Sequence, residues 1–332
     1  IVLIDGMGSK LITEYGKEFP IFSQSIFEKE LSSHFPTTTT VNLTSLATGV
    51  LPGIHGMLGY TVRVPRSGEP GRLLNALKWD ERVDPLIWQK VPTLFERASA
   101  EGISTSQISA KRYEDTGFTR AALRGAKYVG ANLISEISDE AAKVLKKEKS
   151  FAYVYINHLD VAGHEDGVGS EKWLLAMAKV AKLLTELKEK LPIGTRVWVT
   201  ADHGMVNADE IIILGKDNDL NKDVTLYGGE PRARHLYVRD GAARDVISRY
   251  RNYLGTRAEV LSKEEAISKN LFGKQMSIDS QERIGDIIVI ANAGLILVDP
   301  ERVKQEAGMD GHHGGLSEAE RLIPLLAYQS QT

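Results

Sequence analysis

The stretch FPTTTTVNLTSLATGVLPGIHGMLGY, residues 35–60, sets four consecutive threonines directly after a proline and contains a His-Gly pair near its end. Thr37 to Thr40 are β-branched, which favours extended backbone. Apolar residues then recur at helical spacing from Asn42 to Ala47, and Gly49 and Pro52 are typical of a helix end. The stretch therefore predicts a strand that leads through a tight entry into a helix whose first turn carries hydroxyl groups.

A helix start of this kind has a recognisable chemical use. Its first N–H groups have no partner within the helix, and the positive end of the helix dipole points the same way. Together they can hold a phosphate, with a hydroxyl placed to attack it. The alternative is a Thr-rich edge strand that runs into a core helix, and the stretch by itself leaves both interpretations open.

The composition is that of an ordinary globular protein. The chain has 332 residues, of which 42% are hydrophobic and 26% charged, enough for a large core and a second, smaller unit. The net charge of -3 gives no indication of a nucleic-acid surface or a polybasic membrane patch. The chain contains no cysteine, which excludes disulfides, thiolate metal sites and a cysteine nucleophile. Asp, Glu and His are then the strong metal ligands that the chain offers.

The sequence predicts no membrane span and leaves the cellular location open. The longest apolar run, Ile287 to Val298, is interrupted by Asn292 and Gly294 and is shorter than the roughly 20 residues that cross a bilayer. We interpret it as two buried strands joined by a turn. The chain starts at Ile1, inside a predicted strand, so we expect that native N-terminal residues are omitted. Cytoplasmic and exported locations both stay open.

Strands and helices alternate along most of the chain. The predicted strands are Ile1 to Ile4, Thr105 to Ser109, Phe151 to Ile156, Arg196 to Thr200 and Ile323 to Tyr328. The predicted helices between them include Pro92 to Ala100, with a capping box at Thr93 and Glu96, Ser138 to Lys149, and Trp173 to Leu191. This alternation favours an α/β fold with a mostly parallel sheet covered by helices on both faces, a three-layer α/β/α sandwich.

The pattern changes between Asn207 and Asp299. Short strands near Arg234 to Val238 and Ala258 to Leu261, with a helix through Ala242 to Leu254, indicate a smaller α+β unit. We therefore predict a core made of residues 1–206 and 300–332, with residues 207–299 as a cap-like insertion.

Acidic residues and histidines follow the predicted strands at the points where they end. Asp5 follows the first strand, Asp160 and His164 follow a later one, and Asp202 and His203 follow another. A late Gly-rich loop adds His312 and His313. Each of these has an ordinary explanation as a cap or turn residue, but carboxyl ends of parallel strands meet at one edge of a sheet. The set suits two divalent ions, most naturally zinc, with manganese as a weaker candidate.

These motifs together resemble the type I phosphodiesterase/nucleotide pyrophosphatase family of the alkaline phosphatase superfamily. The matching segments are IDGMG, FPTTTTVNLTSLATG with PGIHG after it, LDVAGHEDG, TADHGM and HHGG, in the order of the family and across nearly the whole chain. The resemblance implies an alkaline phosphatase-like core. It places Thr39 at the nucleophile position, with Asp5, Thr39, Asp202 and His203 around one zinc ion. Asp160, His164 and His313 would bind the other ion.

The chain departs from the family after the His-Gly pair. Nucleotide pyrophosphatases have an asparagine there that holds a phosphate oxygen, and this chain has Tyr60. A phenol also donates a hydrogen bond, so we count Tyr60 as a candidate substrate-binding residue. Arg232 and Arg234 form a possible fork for a phosphate or carboxylate, the alternative being ion pairs on a strand face. Asn42 is expected to cap the helix or to contact the phosphate.

We therefore expect a metal-dependent hydrolase of phosphate diester or pyrophosphate bonds that forms a phospho-threonine at Thr39. Its partner would be a small phosphate ester or a nucleotide. A phosphomonoesterase or a phosphonate hydrolase would use the same groups. A metal-binding pseudoenzyme is the alternative from another class, but all seven ligand positions carry a suitable residue.

Overall fold

A seven-stranded sheet forms the centre of the fold in this computed structural model, which describes residues 1–68 and 71–330. Up to residue 205 the strands are β1 (Val2–Ile4), β2 (Ile26–Ser32), β3 (Thr61–Val64), β4 (Arg72–Asn75), β5 (Ser104–Ser109), β6 (Lys127–Gly130), β7 (Ser150–Ile156) and β8 (Arg196–Thr200). The later strands are β9 (Val206–Asn207), β10 (Glu210–Ile213), β11 (Val224–Glu230), β12 (Ala233–Val238), β13 (Ala258–Ser262), β14 (Ile287–Ala291), β15 (Leu295–Val298), β16 (Gly311–His312) and β17 (Leu322–Gln329).

Helices connect most of these strands. Those before residue 200 are α1 (Ser9–Tyr15), α2 (Pro20–Gln24), α3 (Thr39–Thr48), α4 (Pro52–His55), α5 (Pro85–Trp88), α6 (Leu94–Ala100), α7 (Gly117–Ala122), α8 (Ile134–Val144), α9 (His158–Asp166) and α10 (Glu171–Lys190). Those after it are α11 (Ala243–Leu254), α12 (Lys263–Ser268), α13 (Ile278–Arg283), α14 (Val303–Glu306) and α15 (Glu318–Arg321). Short 3₁₀ turns lie at Gly16–Glu18, Lys111–Tyr113 and Gly255–Arg257.

The central sheet is mostly parallel, as the sequence predicts. Its strand order is β2-β17-β8-β1-β7-β5-β6, and the five strands from β8 to β6 run parallel to one another. The last strand, β17, is antiparallel to both β8 and β2. The carboxyl ends of β8, β1 and β7 therefore lie side by side at one edge of the sheet.

Both faces of the sheet are covered, which makes the core a three-layer α/β/α sandwich. Side chains alternate along the central strands, so that Val2 and Ile4 join one apolar cluster while Leu3 joins another. The first cluster includes the buried stripe of α10, and the second includes Leu43 of α3 and Phe95 of α6. The predicted fold class is confirmed.

A second sheet lies in the part of the chain that we predict to be the smaller unit. Its antiparallel strands follow the order β11-β12-β14-β13, within residues 224–291. One face packs on α11 through Val246 and Tyr250, and the other meets the core cluster through Ile288 and Ile290. The assignment of residues 207–299 as a separate domain stays a prediction.

Several local predictions differ from the structure. Thr39 and Thr40 are helical rather than extended, because α3 starts at Thr39; Thr38 before it has extended backbone, and Thr37 forms a β-bridge with Gly314. Gly49 ends α3 as predicted, with a φ of 73° that glycine adopts freely. Pro52 begins α4 instead of ending α3. The helix predicted from Ser138 to Lys149 lies at Ile134–Val144.

The segment after Tyr60 contains short elements, among them the hairpin of β3 and β4. The run from Ile287 to Val298 forms two buried strands joined by a turn, as predicted. Those strands belong to different sheets, because β14 lies in the second sheet and β15 pairs with β10.

Candidate active site

Thr39 occupies the first position of α3, at the carboxyl edge of the central sheet. Its hydroxyl oxygen lies 3.2 Å from Nε2 of His203 and 3.4 and 3.5 Å from the two carboxylate oxygens of Asp5. In the described part of the chain, the N–H groups of Thr39 and Thr40 donate to no backbone carbonyl. The hydroxyl and two free N–H groups of a ten-residue helix thus face the same region.

Side chains hold the entry into α3 in place. The Asn42 side chain accepts a hydrogen bond from the His34 N–H at 2.8 Å and donates to the carbonyl oxygens of Pro36 and Thr38. The Thr37 hydroxyl donates to the Gly315 carbonyl and accepts from the Gly314 N–H. Asn42 is therefore occupied by the loop before the helix and neither caps α3 nor is free to contact a phosphate, which corrects both predicted roles.

Three carboxylates meet beside Thr39. Asp5 directly follows β1, and Asp202 lies just beyond the end of β8. Asp160 lies in the first turn of α9, which follows β7. All three are buried. Oδ1 of Asp202 accepts from the N–H groups of Gly6 and His203 at 3.2 and 3.0 Å. Within the described residues, Oδ2 of Asp202 and Oδ1 of Asp160 have no hydrogen-bond partner.

The histidines are oriented by backbone carbonyls. Nδ1 of His203 lies 3.0 Å from the Gly204 carbonyl oxygen, Nδ1 of His164 lies 2.7 Å from that of Gly311, and Nδ1 of His313 lies 2.9 Å from that of Thr37. Since a carbonyl oxygen only accepts, each Nδ1 carries the proton in these contacts. Each Nε2 then has a free lone pair, the arrangement that metal-binding histidines commonly show.

The Nε2 atoms point to the carboxylates. The Nε2 of His203 is 3.3 Å from Asp5 and 3.5 Å from Asp202, while His164 and His313 approach Oδ1 of Asp160 at 3.5 and 3.8 Å. Two groups of three have their ligand atoms within 4.8 Å of one another: Asp5, Asp202 and His203, and Asp160, His203 and His313. The structure thus brings all seven residues of the predicted ligand set together, with His203 between the two groups.

The electrostatics of this cluster fit cations. Burial, followed by the charges of Asp160 and Asp202, raises the pKa of Asp5 well above its usual value. Burial also raises the pKa of Asp202, against the opposing effect of His203. In the described residues no Lys or Arg lies within 4.0 Å of these three carboxylates. Carboxylate oxygens that have no hydrogen-bond partner within the described residues lie beside imidazole lone pairs. Such a donor set suits divalent transition metals, and zinc in particular.

Backbone packing around the ligands leaves little room. Gly6 adopts a φ of 75°, and a side chain there would come within 3.2 Å of Asp160. A Cβ on Gly204 would lie 2.0 Å from the Ala319 carbonyl oxygen. The glycines that follow Asp5 and His203 are thus required by the fold of the site, which explains why the acidic and histidine motifs end in glycine.

Two predicted substrate-binding residues have other roles. Arg232 and Arg234 are both fully buried. Arg232 forms a bidentate ion pair with Glu320 at 2.6 and 2.8 Å, and Arg234 pairs with Glu306. The prediction that these guanidiniums bind a substrate phosphate does not fit the structure, because both are committed to carboxylates inside the protein.

Tyr60 and His312 behave differently from the ligand set. Tyr60 is partly exposed, its backbone N–H donates to Oε2 of Glu230 at 2.9 Å, and its phenol has no hydrogen bond in the described part of the chain. His312 directs Nε2 to the Met309 carbonyl, and burial lowers its pKa to about 4. The choice of His313 over His312 as a candidate ligand agrees with this geometry.

The sequence interpretation missed Tyr155 and Glu230. The Tyr155 hydroxyl donates to Oδ2 of Asp5 at 2.5 Å and thereby fixes a candidate ligand. The alternation of β7 places Tyr155 near the end of the strand, which was the available signal. Glu230 is buried at the end of β11 and contacts the site loops from the second sheet, a placement that no local pattern reveals.

Comparisons with known proteins give a family match and a shared fold. A family model for type I phosphodiesterase / nucleotide pyrophosphatase matches residues 1–316. Among solved structures, murine ectonucleotide pyrophosphatase/phosphodiesterase 5 superposes with a TM-score of 0.73 at 16% identity, over 98% of this chain and 86% of the other. Phosphonoacetate hydrolase from Sinorhizobium meliloti 1021 in complex with phosphonoformate gives 0.70 at 18% identity, over 98% and 88%.

The murine protein is also represented by an inactive Thr-to-Ala variant in complex with AMP, at 15% identity and a TM-score of 0.73, over 98% of this chain and 87% of that one. A comparison with curated proteins returned no match to the chain. In residues 1–68 and 71–330, no helix is both long and apolar enough to cross a membrane.

Proposed function

The chain belongs to the type I phosphodiesterase/nucleotide pyrophosphatase family, and on this basis we propose that it hydrolyses phosphate diester or pyrophosphate bonds with Thr39 as nucleophile. The family consists of metal-dependent hydrolases. The observation that supports the role of Thr39 best is the 3.2 Å distance between its hydroxyl oxygen and Nε2 of His203, with Asp5 at 3.4 Å.

Two divalent ions would be held by the ligand set, zinc being the best candidate. Asp5, Thr39, Asp202 and His203 would hold one, and Asp160, His164 and His313 the other. When bound, such ions lower the pKa of a coordinated hydroxyl and neutralise charge on the phosphoryl oxygens.

The residues of the chain then perform the following steps. The Thr39 hydroxyl gives up its proton to water, its oxygen attacks phosphorus, and the P–O bond to the leaving group breaks, so that the leaving group departs with the bonding electrons and a phospho-threonine forms. The free N–H groups of Thr39 and Thr40 and the positive end of α3 suit the equatorial oxygens of the phosphoryl group. Water then cleaves the phospho-threonine and regenerates the hydroxyl.

The test compares hydrolysis of bis(p-nitrophenyl) phosphate and p-nitrophenyl phosphate by metal-stripped protein with zinc or manganese restored. Thr39→Ala should lower turnover by about 10³-fold or more. Thr48→Ala is the matched control, because that hydroxyl is also buried in α3, where it donates to the Thr44 carbonyl at 2.7 Å and accepts from the Val50 N–H at 3.5 Å. Equal loss in both variants, or full activity of Thr39→Ala, would contradict the proposal.

A phosphonate hydrolase is the second candidate. Tyr60 stands where nucleotide pyrophosphatases have an asparagine, and one structural neighbour is a phosphonoacetate hydrolase. Phosphonoacetate should therefore be included as a substrate. Faster cleavage of the phosphonate than of either ester would move the assignment to this class. Tight metal binding without turnover of any of the three substrates would favour a metal-binding pseudoenzyme.

A further inference from the structure

Two arginine–glutamate pairs lie inside the protein, with Arg234 on β12 and Arg232 directly before that strand. Arg232 and Arg234 both have 0% exposure, and their partners Glu320 and Glu306 are buried as well. The pairs have the same chemistry, and each joins the second sheet to the segment after residue 299. They differ in what the glutamates contact.

Glu320 is bonded to the backbone beside two candidate metal ligands. Its Oε1 accepts from the Gly315 N–H at 2.8 Å, and Gly315 lies two residues after His313. Its backbone oxygen accepts from the Gly204 N–H at 2.7 Å, and Gly204 directly follows His203. One residue thus contacts both histidine loops.

The remaining acceptor capacity of Glu320 is filled by Arg232 and Ser317. The guanidinium donates through Nε at 2.6 Å and through Nη2 at 2.8 Å, and the Ser317 hydroxyl donates to Oε2 at 2.6 Å. Two parallel N–H···O bonds fix the orientation of a carboxylate more strictly than a single contact does. The Arg232 guanidinium therefore determines where Glu320 lies.

Small movements of Glu320 would be transmitted to the ligands. A Cβ at Gly315 would lie 2.9 Å from Oε2 of Glu320, which shows how closely this loop packs on the carboxylate. Nδ1 of His203 is oriented by the Gly204 carbonyl, so a shift of the Gly204 backbone turns the imidazole. Residues that orient metal ligands in this way commonly affect metal affinity.

We propose that Arg232 and Glu320 are positioning residues for the metal centre: Arg232 fixes Glu320, and Glu320 fixes the loops that aim His203 and His313 at the metal ions. The inference rests on the proposed function, since it requires that these histidines bind metal. It gives the second sheet a part in building the site without contact to substrate.

The second pair provides a matched control. Oε2 of Glu306 accepts from Arg234 and, at 2.9 Å, from the Asp299 N–H. Nε of Arg234 donates to the Leu297 carbonyl at 2.7 Å. In the described part of the chain, neither side chain bonds to a residue adjacent to a candidate ligand. Loss of this pair should cost stability and leave metal affinity unchanged.

The experiment measures the zinc dissociation constants of the wild-type protein, Glu320→Gln and Glu306→Gln by competition with a chromophoric chelator. Urea unfolding of the chelated proteins gives their stabilities. We expect similar losses of stability in the two variants and a 10- to 100-fold weaker zinc affinity in Glu320→Gln alone. Equal zinc affinity in the two variants would overturn the inference and leave the pair a purely structural one.

Two further results separate the possible failures. If the wild-type protein binds no zinc or manganese, the proposed function fails and this inference fails with it. If Glu320→Gln does not fold, Arg232→Lys takes its place, because lysine keeps the charge but cannot form the two parallel bonds. Arg232→Lys should then bind zinc more weakly than Glu306→Gln, and equal affinity would again overturn the inference.

Discussion

The carboxyl edge of the central sheet and the interior of the second sheet both bury charged side chains, but they balance the charge differently. At the sheet edge, Asp5, Asp160 and Asp202 meet with imidazoles as their counterparts, and two carboxylate oxygens lack partners within the described residues. In the second sheet, Arg234 on β12 and Arg232 in the turn directly before it each have a glutamate partner.

This difference distinguishes a ligand site from a structural pair. An uncompensated set of like charges is costly to bury, and burial together with the neighbouring charges raises the pKa of Asp5 accordingly. A bound cation would remove that cost, which is why the sheet edge is the candidate metal site. Each arginine already has a carboxylate partner inside the protein, and in the described part of the chain only Nη1 of Arg234, of the two guanidiniums, has no hydrogen-bond partner.

The largest expected effect concerns the buried ion pair of Arg234 and Glu306. Arg234→Met leaves Glu306 buried without its cation and should lower the free energy of unfolding by about 3–5 kcal/mol. The double variant Arg234→Met/Glu306→Gln removes both charges and should recover a substantial part of that loss. Urea unfolding of the three proteins, with metal chelated, measures both steps. An Arg234→Met variant as stable as wild type would show that Arg234 does not compensate the buried charge of Glu306.

Metal removal tests the carboxylate cluster at the edge of the central sheet. Zinc at a hundredfold excess over its dissociation constant should raise the free energy of unfolding by about 2.7 kcal/mol relative to chelated protein. Asp202→Asn removes one ligand charge and should abolish most of this response. Thermal unfolding at several zinc concentrations measures it, with Glu306→Gln as the variant that should still respond. If the thermal stability of the wild-type protein did not change when metal is chelated, the interpretation of the sheet edge as a metal site would be contradicted.

Glu230 lies between the two regions, and its effect depends on pH. Burial raises the pKa of Glu230 to about 8, so the folded protein keeps a proton that the unfolded chain releases near its ordinary value. The stabilisation is complete below the unfolded pKa and is lost as pH rises through the folded one. Wild type should lose about 1 kcal/mol relative to Glu230→Gln between pH 6 and 7. If the free energy of unfolding changed with pH in the same way in wild type and Glu230→Gln, the raised pKa of Glu230 would be contradicted.

Much of the fold and of the site follows from local patterns. Alternating strands and helices predict the parallel core, and Thr93 and Glu96 form the predicted capping box. The acidic and histidine motifs could be grouped because parallel strands end at one edge, so Asp5, Asp160 and Asp202 converge without any knowledge of their contacts. The assignment of these residues as ligands is still a prediction.

Other features depend on distant contacts that a linear pattern does not contain. The β-branched threonines predict extended backbone, yet Thr39 and Thr40 are helical, because buried packing and the Asn42 hydrogen bonds outweigh intrinsic preference. The spacing of Arg232 and Arg234 fits a phosphate fork as well as two ion pairs. Only the position of Glu320, 88 residues later in the chain, distinguishes the two possibilities for Arg232.

The smallest expected effect concerns the Tyr60 side chain, where the two regions meet. Its N–H is held by Glu230 of the second sheet, while its phenol is unbonded in the described part of the chain. If the phenol replaces the asparagine of nucleotide pyrophosphatases, Tyr60→Phe removes one hydrogen bond to a phosphate oxygen and should lower kcat/KM about three- to tenfold. Tyr253→Phe, on the surface of α11, is the control. Steady-state kinetics with diester and phosphonate substrates would show whether the loss is confined to one class. Unchanged kinetics with both would contradict a substrate-binding role for the phenol and leave the backbone contact between Tyr60 and Glu230 as the link between this residue and the second sheet.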